Sequence, residues 1–210
     1  AHAQDYEQIM GGIEGHDVDG VKMPTQMENM RFFLSYQCNF MYWRYFLWNF
    51  AGRQNDLQSF GEPEHGNWIT GIPFIDNARL GDQSNLPPCM KNPGRTRFYF
   101  LPLILGLIGL VWLLKRDFRQ SWIIFLLFFM TGIAIIIYLN QTPYQPRERD
   151  YSYAGSFYAF SIWIGYGVIA IIDWMNRLTK SKKMATTLAV GAVCLMAVPV
   201  LMGAQGWEEH

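Results

Sequence analysis

Two runs decide the fold: "FYFLPLILGLIGLVWLL", residues 98–114, and, after a six-residue link, "SWIIFLLFFMTGIAIIIYL", residues 121–139. A helix needs about 20 mostly apolar residues to cross a bilayer, within a range of roughly 17 to 25. Both runs satisfy that, and so do "YAGSFYAFSIWIGYGVIAIIDW", 153–174, and "MATTLAVGAVCLMAVPVLMG", 184–203. Inside hydrocarbon an isolated strand leaves its backbone N–H and C=O groups unpaired, so all four are expected to be helices. A soluble core rarely uses four such runs in about a hundred residues. The expected fold class is therefore all-α: a polytopic membrane helical bundle with outward-facing loops and an amphipathic interfacial helix.

The links between the runs orient the bundle. "KRDFRQ" carries Lys115, Arg116 and Arg119, and "MNRLTKSKK" carries Arg177, Lys180, Lys182 and Lys183. Both fall at the same end, and short basic links stay in the cytoplasm. Residues 1–97, the 140–152 loop and the C-terminal end are then expected on the outer face. Arg95 and Arg97 pull weakly the other way. Within the spans, Gly106, Gly109, Gly165, Gly191, Ala192 and Ala197 read as sites of close helix approach. Pro102 suits a first helical turn, Pro199 should kink the last span, and Asp173 sits at an interface.

The chain has 210 residues, half of them apolar, and a formal net charge of zero, which gives no reason to expect nucleic acid as a partner. It begins at Ala1 with no leader and stops just after an apolar run. We read it as an internal piece of a longer membrane protein, packed against further helices of that protein. The organisation expected is an outer segment over 1–29, an outward-facing helix and long loop over 30–97, four spans over 98–203, and the start of an outer region over 204–210. The three cysteines and four histidines are scattered, with no metal-ligand spacing; neither a metal nor another cofactor is expected.

Residues 30–56, "MRFFLSYQCNFMYWRYFLWNFAGRQND", are crowded with aromatics yet carry Arg31, Arg44 and Arg53. At 100° per residue, Arg31, Ser35, Asn39, Tyr42, Asn49 and Arg53 share a narrow polar stripe. Gln37 and Arg44 project almost opposite. The density of Trp and Tyr favours a helix in the headgroup layer, or a re-entrant one, over a fifth span. Arg44 has two readings. It snorkels or stacks among the rings, Trp43 included, or it aims at an anionic lipid headgroup. Residues 52–94 are rich in Gly, Asn, Asp and Pro without strong periodicity; Trp68, Ile69, Ile72 and Phe74 suggest a loop packed over the outer mouth of the bundle.

The link "NQTPYQPRERDYSY", 140–153, packs two arginines and two acids in a row, Arg147 to Asp150, and is expected on the outer side. Pro143 and Pro146 stiffen it, with Tyr144 between them. In an extended stretch Arg147 and Arg149 share one side and Glu148 and Asp150 the other. Asp150 or Ser152 is placed to cap the third span, whose N-terminus attracts anions. The arginines either pair with these acids and fix the helix end, or grip a phosphate through a fork-shaped permanent cation.

Three stretches, "MENMRFFLSYQCNFMYWRYFLWNFAGRQND", "HGNWITGIPFIDNARLGDQ" and "NQTPYQPRERDYSYAGSFYAFSIWIGYGV", resemble a family of large multi-spanning membrane proteins common in Bacteroidetes. That family is grouped with membrane glycosyltransferases of the GT-C class, near the protein O-mannosyltransferases. The resemblance runs from about Pro24 to the end. It implies an inner-membrane enzyme whose donor is a polyprenyl-phosphate sugar and whose acceptor is a protein or another envelope molecule on the periplasmic face. It also implies a catalytic acid in a first outer loop ahead of these residues, so no catalytic residue is expected within them. On this reading Arg147, Arg149 and Arg44 hold the donor's phosphate, with Glu148, Asp150, Tyr144 and Trp43 in support. A non-catalytic membrane anchor and a transporter are the alternatives. Transporters place ionisable groups at mid-membrane, where these spans carry almost none.

Overall fold

The structure is a computed structural model. It describes residues 15–18, 20–57, 59, 63–82, 87, 94–140, 150–179 and 184–207. They are mostly helical, in keeping with the all-α expectation. A short antiparallel hairpin, β1 (His16–Val18) with β2 (Val21–Met23), precedes the first helix. Helix α1 (Gln26–Phe32) starts at a capping box. In it Thr25 N–H donates to Glu28 Oε2 at 2.7 Å, and Glu28 N–H donates to the Thr25 hydroxyl at 3.3 Å.

The chain then runs without a break through a π-helical segment, Phe33–Trp43, into α2 (Arg44–Phe50). A π-helix closes i→i+5 hydrogen bonds and so has a wider turn than an α-helix. That alters the wheel drawn at 100° per residue. Arg31, Ser35, Asn39 and Asn49 do face outward, but Tyr42, expected in the same stripe, is fully buried.

Helix α3 (Pro73–Leu80) lies in the long loop. The apolar half forms α4 (Leu101–Arg116), α5 (Phe118–Thr131), α6 (Ile133–Leu139), α7 (Ala154–Thr179) and α8 (Met184–Trp207). Pro102 sits in the first turn of α4 as expected, and Pro199 lies inside α8. Asp117 caps α5, accepting from Arg119 N–H at 3.0 Å and Gln120 N–H at 3.2 Å. The expected 121–139 span is divided at Gly132, where the backbone leaves helical geometry. The interruption makes room for a neighbour, because a Cβ at Gly132 would stand 2.6 Å from the Tyr42 hydroxyl.

Helices α4 and α7 make the tightest pairing. An added Cβ at Gly109 would stand 1.8 Å from the Trp163 carbonyl oxygen, and one at Gly167 2.1 Å from that of Leu105. Small residues let backbones meet in this way. Gly167 was not among the small residues singled out from the sequence, and Gly165, which was, faces open space. The core above this joint is aromatic. Phe46, Phe128, Phe160 and Trp163 interlock, with Phe46 and Phe160 edge-to-face at 4.8 Å and Phe128 and Trp163 at 5.5 Å. Such pairs contribute about 0.5–1.5 kcal/mol each beyond area burial.

Contacts across the bundle sort its two ends. Gln37 donates to Asn140 Oδ1 at 3.0 Å, and Gln205 bonds the backbone of Arg97 through both its oxygen and its nitrogen. At the far end, Trp112 reaches Asp173 and Tyr166 reaches Gln120. Residues 37, 97, 140 and 205 therefore gather at one end and the short basic link at the other. The segment from Phe33 to Phe50 enters beside Asn140 and ends against Phe157 and Phe160. It thus descends about midway along the α5–α6 rod and goes no further.

Two runs, Phe118–Leu139 (22 residues, mean hydropathy 2.6) and Tyr151–Arg177 (27 residues, 1.6), are long and apolar enough to cross a membrane. Little of the first is buried within the protein. Its outer face shows Trp122, Ile123, Phe125, Leu126 and Met130. Helix α4 has 16 residues, about 24 Å at 1.5 Å each, short of the hydrocarbon thickness.

Candidate functional site

Ahead of α4, where Gln205 meets Arg97, residues 51–56, 63–72 and 94–100 fold into a compact polar plug. Three extended pieces pair, with 51–54 in the middle. Arg53 and Thr96 exchange N–H···O bonds at 3.1 and 3.0 Å, Ile69 N–H donates to Gly52 O at 2.9 Å, and Gln54 N–H donates to Asn67 O at 2.8 Å. Gly52 has φ +138°, and a Cβ there would stand 2.5 Å from the Thr96 carbonyl oxygen, so only glycine fits. The chain leaves the plug for α4 through Tyr99 and Phe100, both left-handed. Tyr99 N–H donating to Thr70 O at 3.0 Å fastens that corner.

The plug buries polar side chains and satisfies them. Asn55 accepts from Gly66 N–H at 2.7 Å and donates to Glu64 O at 3.2 Å. Gln54 accepts from the Asn67 side chain at 3.1 Å and donates to Pro63 O at 3.2 Å. Buried amides left unpaired would each cost about 1–3 kcal/mol, so these bonds are conditions of the fold. Asp76, 4% exposed, reaches back from α3 and accepts from Thr70 N–H (2.8 Å), the Thr70 hydroxyl (3.0 Å) and Gly71 N–H (2.8 Å). Both its oxygens are engaged in holding the loop, which leaves it poorly placed as a proton acceptor. Arg79 lies 3.6 Å over the Trp68 ring and donates to Trp68 O at 2.8 Å. Burial pulls its pKa down, against an opposing pull from Asp76.

Arg44 belongs to this plug. Its side chain is 5% exposed; Nη1 donates to Gly66 O at 3.2 Å, Nε donates to Phe40 O at 3.0 Å, and the guanidinium lies 3.9 Å over the Phe40 ring. Of its two readings from sequence, this geometry is stacking. The side chain clasps the helix to the plug, with carbonyls and rings around the cation. Trp43, 37% exposed, packs edge-on against Tyr42 and Phe46. Tyr144, Arg147, Glu148 and Arg149 lie outside the described residues. The backbone of Asp150 opens a 3-10 turn, Asp150–Tyr153, that leads into α7.

Beside the plug is a cleft of about 150 Å³, lined by Gly71, Asp76, Asn77, Asp82, Arg95 and Arg97 among others. Nε and Nη1 of Arg95 are buried and have no hydrogen-bond partner. Burial lowers the Arg95 pKa, Arg97 adds to that, and Asp76 opposes it. An arginine keeps its charge even so. Two vacant donors on a half-buried guanidinium, lining a cleft several times the roughly 30 Å³ share of one water, make this the candidate site for an acceptor. Arg95 and Arg97 entered the sequence reading only as charges flanking a span. The available signal was two arginines in alternation, "RTR", between a Pro-Gly pair and an apolar run. Among the described residues no group of His, Cys, Asp or Glu has the arrangement of a metal site. No family model, curated protein or solved structure matches the chain.

Proposed function

We propose that these residues are part of the membrane domain of a GT-C-type glycosyltransferase. It transfers a sugar, mannose by the O-mannosyltransferase resemblance, from a polyprenyl-phosphate donor to a protein or envelope acceptor. On this reading all four long helices span a bacterial inner membrane as one polytopic bundle, and the plug faces the periplasm. The apolar faces of α5 and α6 and the basic links at the opposite end support that arrangement.

The observation that carries the proposal is Arg95. Its unpartnered guanidinium, with Arg97 beside it, fits the phosphate of a lipid-linked donor at the end of the bundle. Arg147 and Arg149 remain proposed contributors from the neighbouring loop. The chain's own residues would bind and orient the donor. The acid catalyst is expected elsewhere, in the first outer loop.

The test is sugar transfer by the full-length protein, supplied with polyprenyl-phosphate mannose and envelope-protein acceptors. Wild type should transfer mannose. Arg95→Met, Arg147→Ala and Arg149→Ala should each raise the KM for donor at least tenfold, the loss expected for a charged hydrogen bond worth about 1.5–3 kcal/mol. A wild-type protein that transfers no sugar from any polyprenyl donor ends the enzyme reading. Unchanged KM in all three variants ends the phosphate assignment.

A further inference from the structure

The opposite end of the bundle holds a second site, which glycosyl transfer does not use. Between the ends of α4 and α7 lies a groove of about 430 Å³, lined by Trp112, Lys115, Arg116, Asp173, Trp174 and Arg177 among others. We infer that it binds the headgroup of an anionic phospholipid.

The charges point to this ligand. Asp173 is the groove's one carboxylate among the lining residues, and it is already engaged: Arg177 donates to Oδ2 at 2.8 Å, and Trp112 Nε1 is 3.4 Å away. Among the described residues neither Lys115 nor Arg116 makes a direct ion pair, and Arg116 meets Asp173 only at longer range. Arg116 is held against the wall, 4.9 Å over the Trp112 ring. Two cations thus remain for a phosphate, and the fork of Arg116 suits its oxygens.

Position selects a lipid over a soluble anion. The groove lies where the apolar runs of α4 and α7 give out, with Trp112 and Trp174 at the depth such rings take at a membrane interface. Val111 and Ile169, exposed on the same two helices, offer apolar surface towards the middle of the spans. An amphiphile can meet both the groove and this apolar surface; inorganic phosphate meets only the groove. Basic pockets between helices at a membrane surface take anionic headgroups on these grounds. The inference needs the membrane reading of the helices and is independent of any sugar transfer.

Titrate the full chain in neutral detergent with phosphatidylglycerol and with phosphatidylcholine, and count bound lipid by native mass spectrometry. Phosphatidylglycerol should bind at least tenfold more tightly. Lys115→Gln with Arg116→Gln should weaken it about thirtyfold, at about fivefold per charge, while Arg119→Gln, outside the groove, should change it less than twofold. A measurement on wild type alone stands beside these in case the double variant does not fold: raising salt from 0.1 to 1 M should bring the two lipids to equal affinity. Equal affinity for both lipids at low salt overturns the proposal, and so does full binding by a folded double variant. Displacement of the lipid by millimolar glycerol phosphate would make this a site for a soluble phosphate and also overturns it.

Discussion

The two ends of this bundle use the same residue type in opposite ways. At the plug end arginines are drawn inwards: Arg44 clasps two carbonyls beneath aromatic rings, and Arg95 is half-buried with two donors unused. At the far end Lys115, Arg116 and Arg177 stay on the surface, steadied by Trp112 or Asp173. Removing a buried cation with partners exposes those partners to loss. Removing an exposed one costs little, because water replaces it. Between these stands Arg95, half-buried, with Asp76 as a charged neighbour but with two guanidinium nitrogens that have no hydrogen-bond partner.

Substitutions should separate the two ends in a definite order. The largest loss is expected from Gly52→Ala. Its Cβ would overlap the Thr96 carbonyl at a φ of +138°, and overpacking with backbone strain should remove about 3 kcal/mol or more. Thermal unfolding in detergent should show it, and an unchanged midpoint would mean the three-piece pairing is wrong. Arg44→Met should follow, losing about 2–4 kcal/mol by leaving Gly66 O and Phe40 O without a charged donor, with Arg44→Lys only partly restoring it.

Asp76→Asn should cost about 1–3 kcal/mol, since an amide cannot accept the Thr70 and Gly71 N–H bonds on both of its atoms. Arg177→Gln, at an exposed i,i+4 pair, should shift stability by about 0.5 kcal/mol or less. Arg95→Met sharpens the comparison most for its size. It should leave the unfolding midpoint unchanged or slightly raised, while donor affinity falls. A midpoint several degrees lower would make Arg95 a structural clasp like Arg44.

The helices were legible from composition because the apolar runs are continuous, and their ends were read to within a few residues. The 98–114 and 153–174 runs appear as Leu101–Arg116 and Ala154–Thr179. The break at Gly132 was not legible, because it answers to Tyr42, some ninety positions earlier in the chain. The polar stripe on the aromatic helix failed at Tyr42 because the wheel assumed one period and the backbone adopts another. Arg44 was singled out for the right oddity, a cation among rings, but its partners include Gly66 O, which no local pattern announces.

What the sequence by itself determined is the set of long apolar helices and the concentration of short-link charge at one end. Both follow from transfer free energy, which each residue contributes without regard to its neighbours. The plug, the α4–α7 joint and the two clefts were decided only by tertiary structure. Each depends on hydrogen bonds and close approaches between residues far apart in the chain: Gln54 with Asn67, Gly109 with Gly167, Arg95 with Asp76. Such contacts are set by where backbones converge, and a reading along one chain carries no record of that convergence.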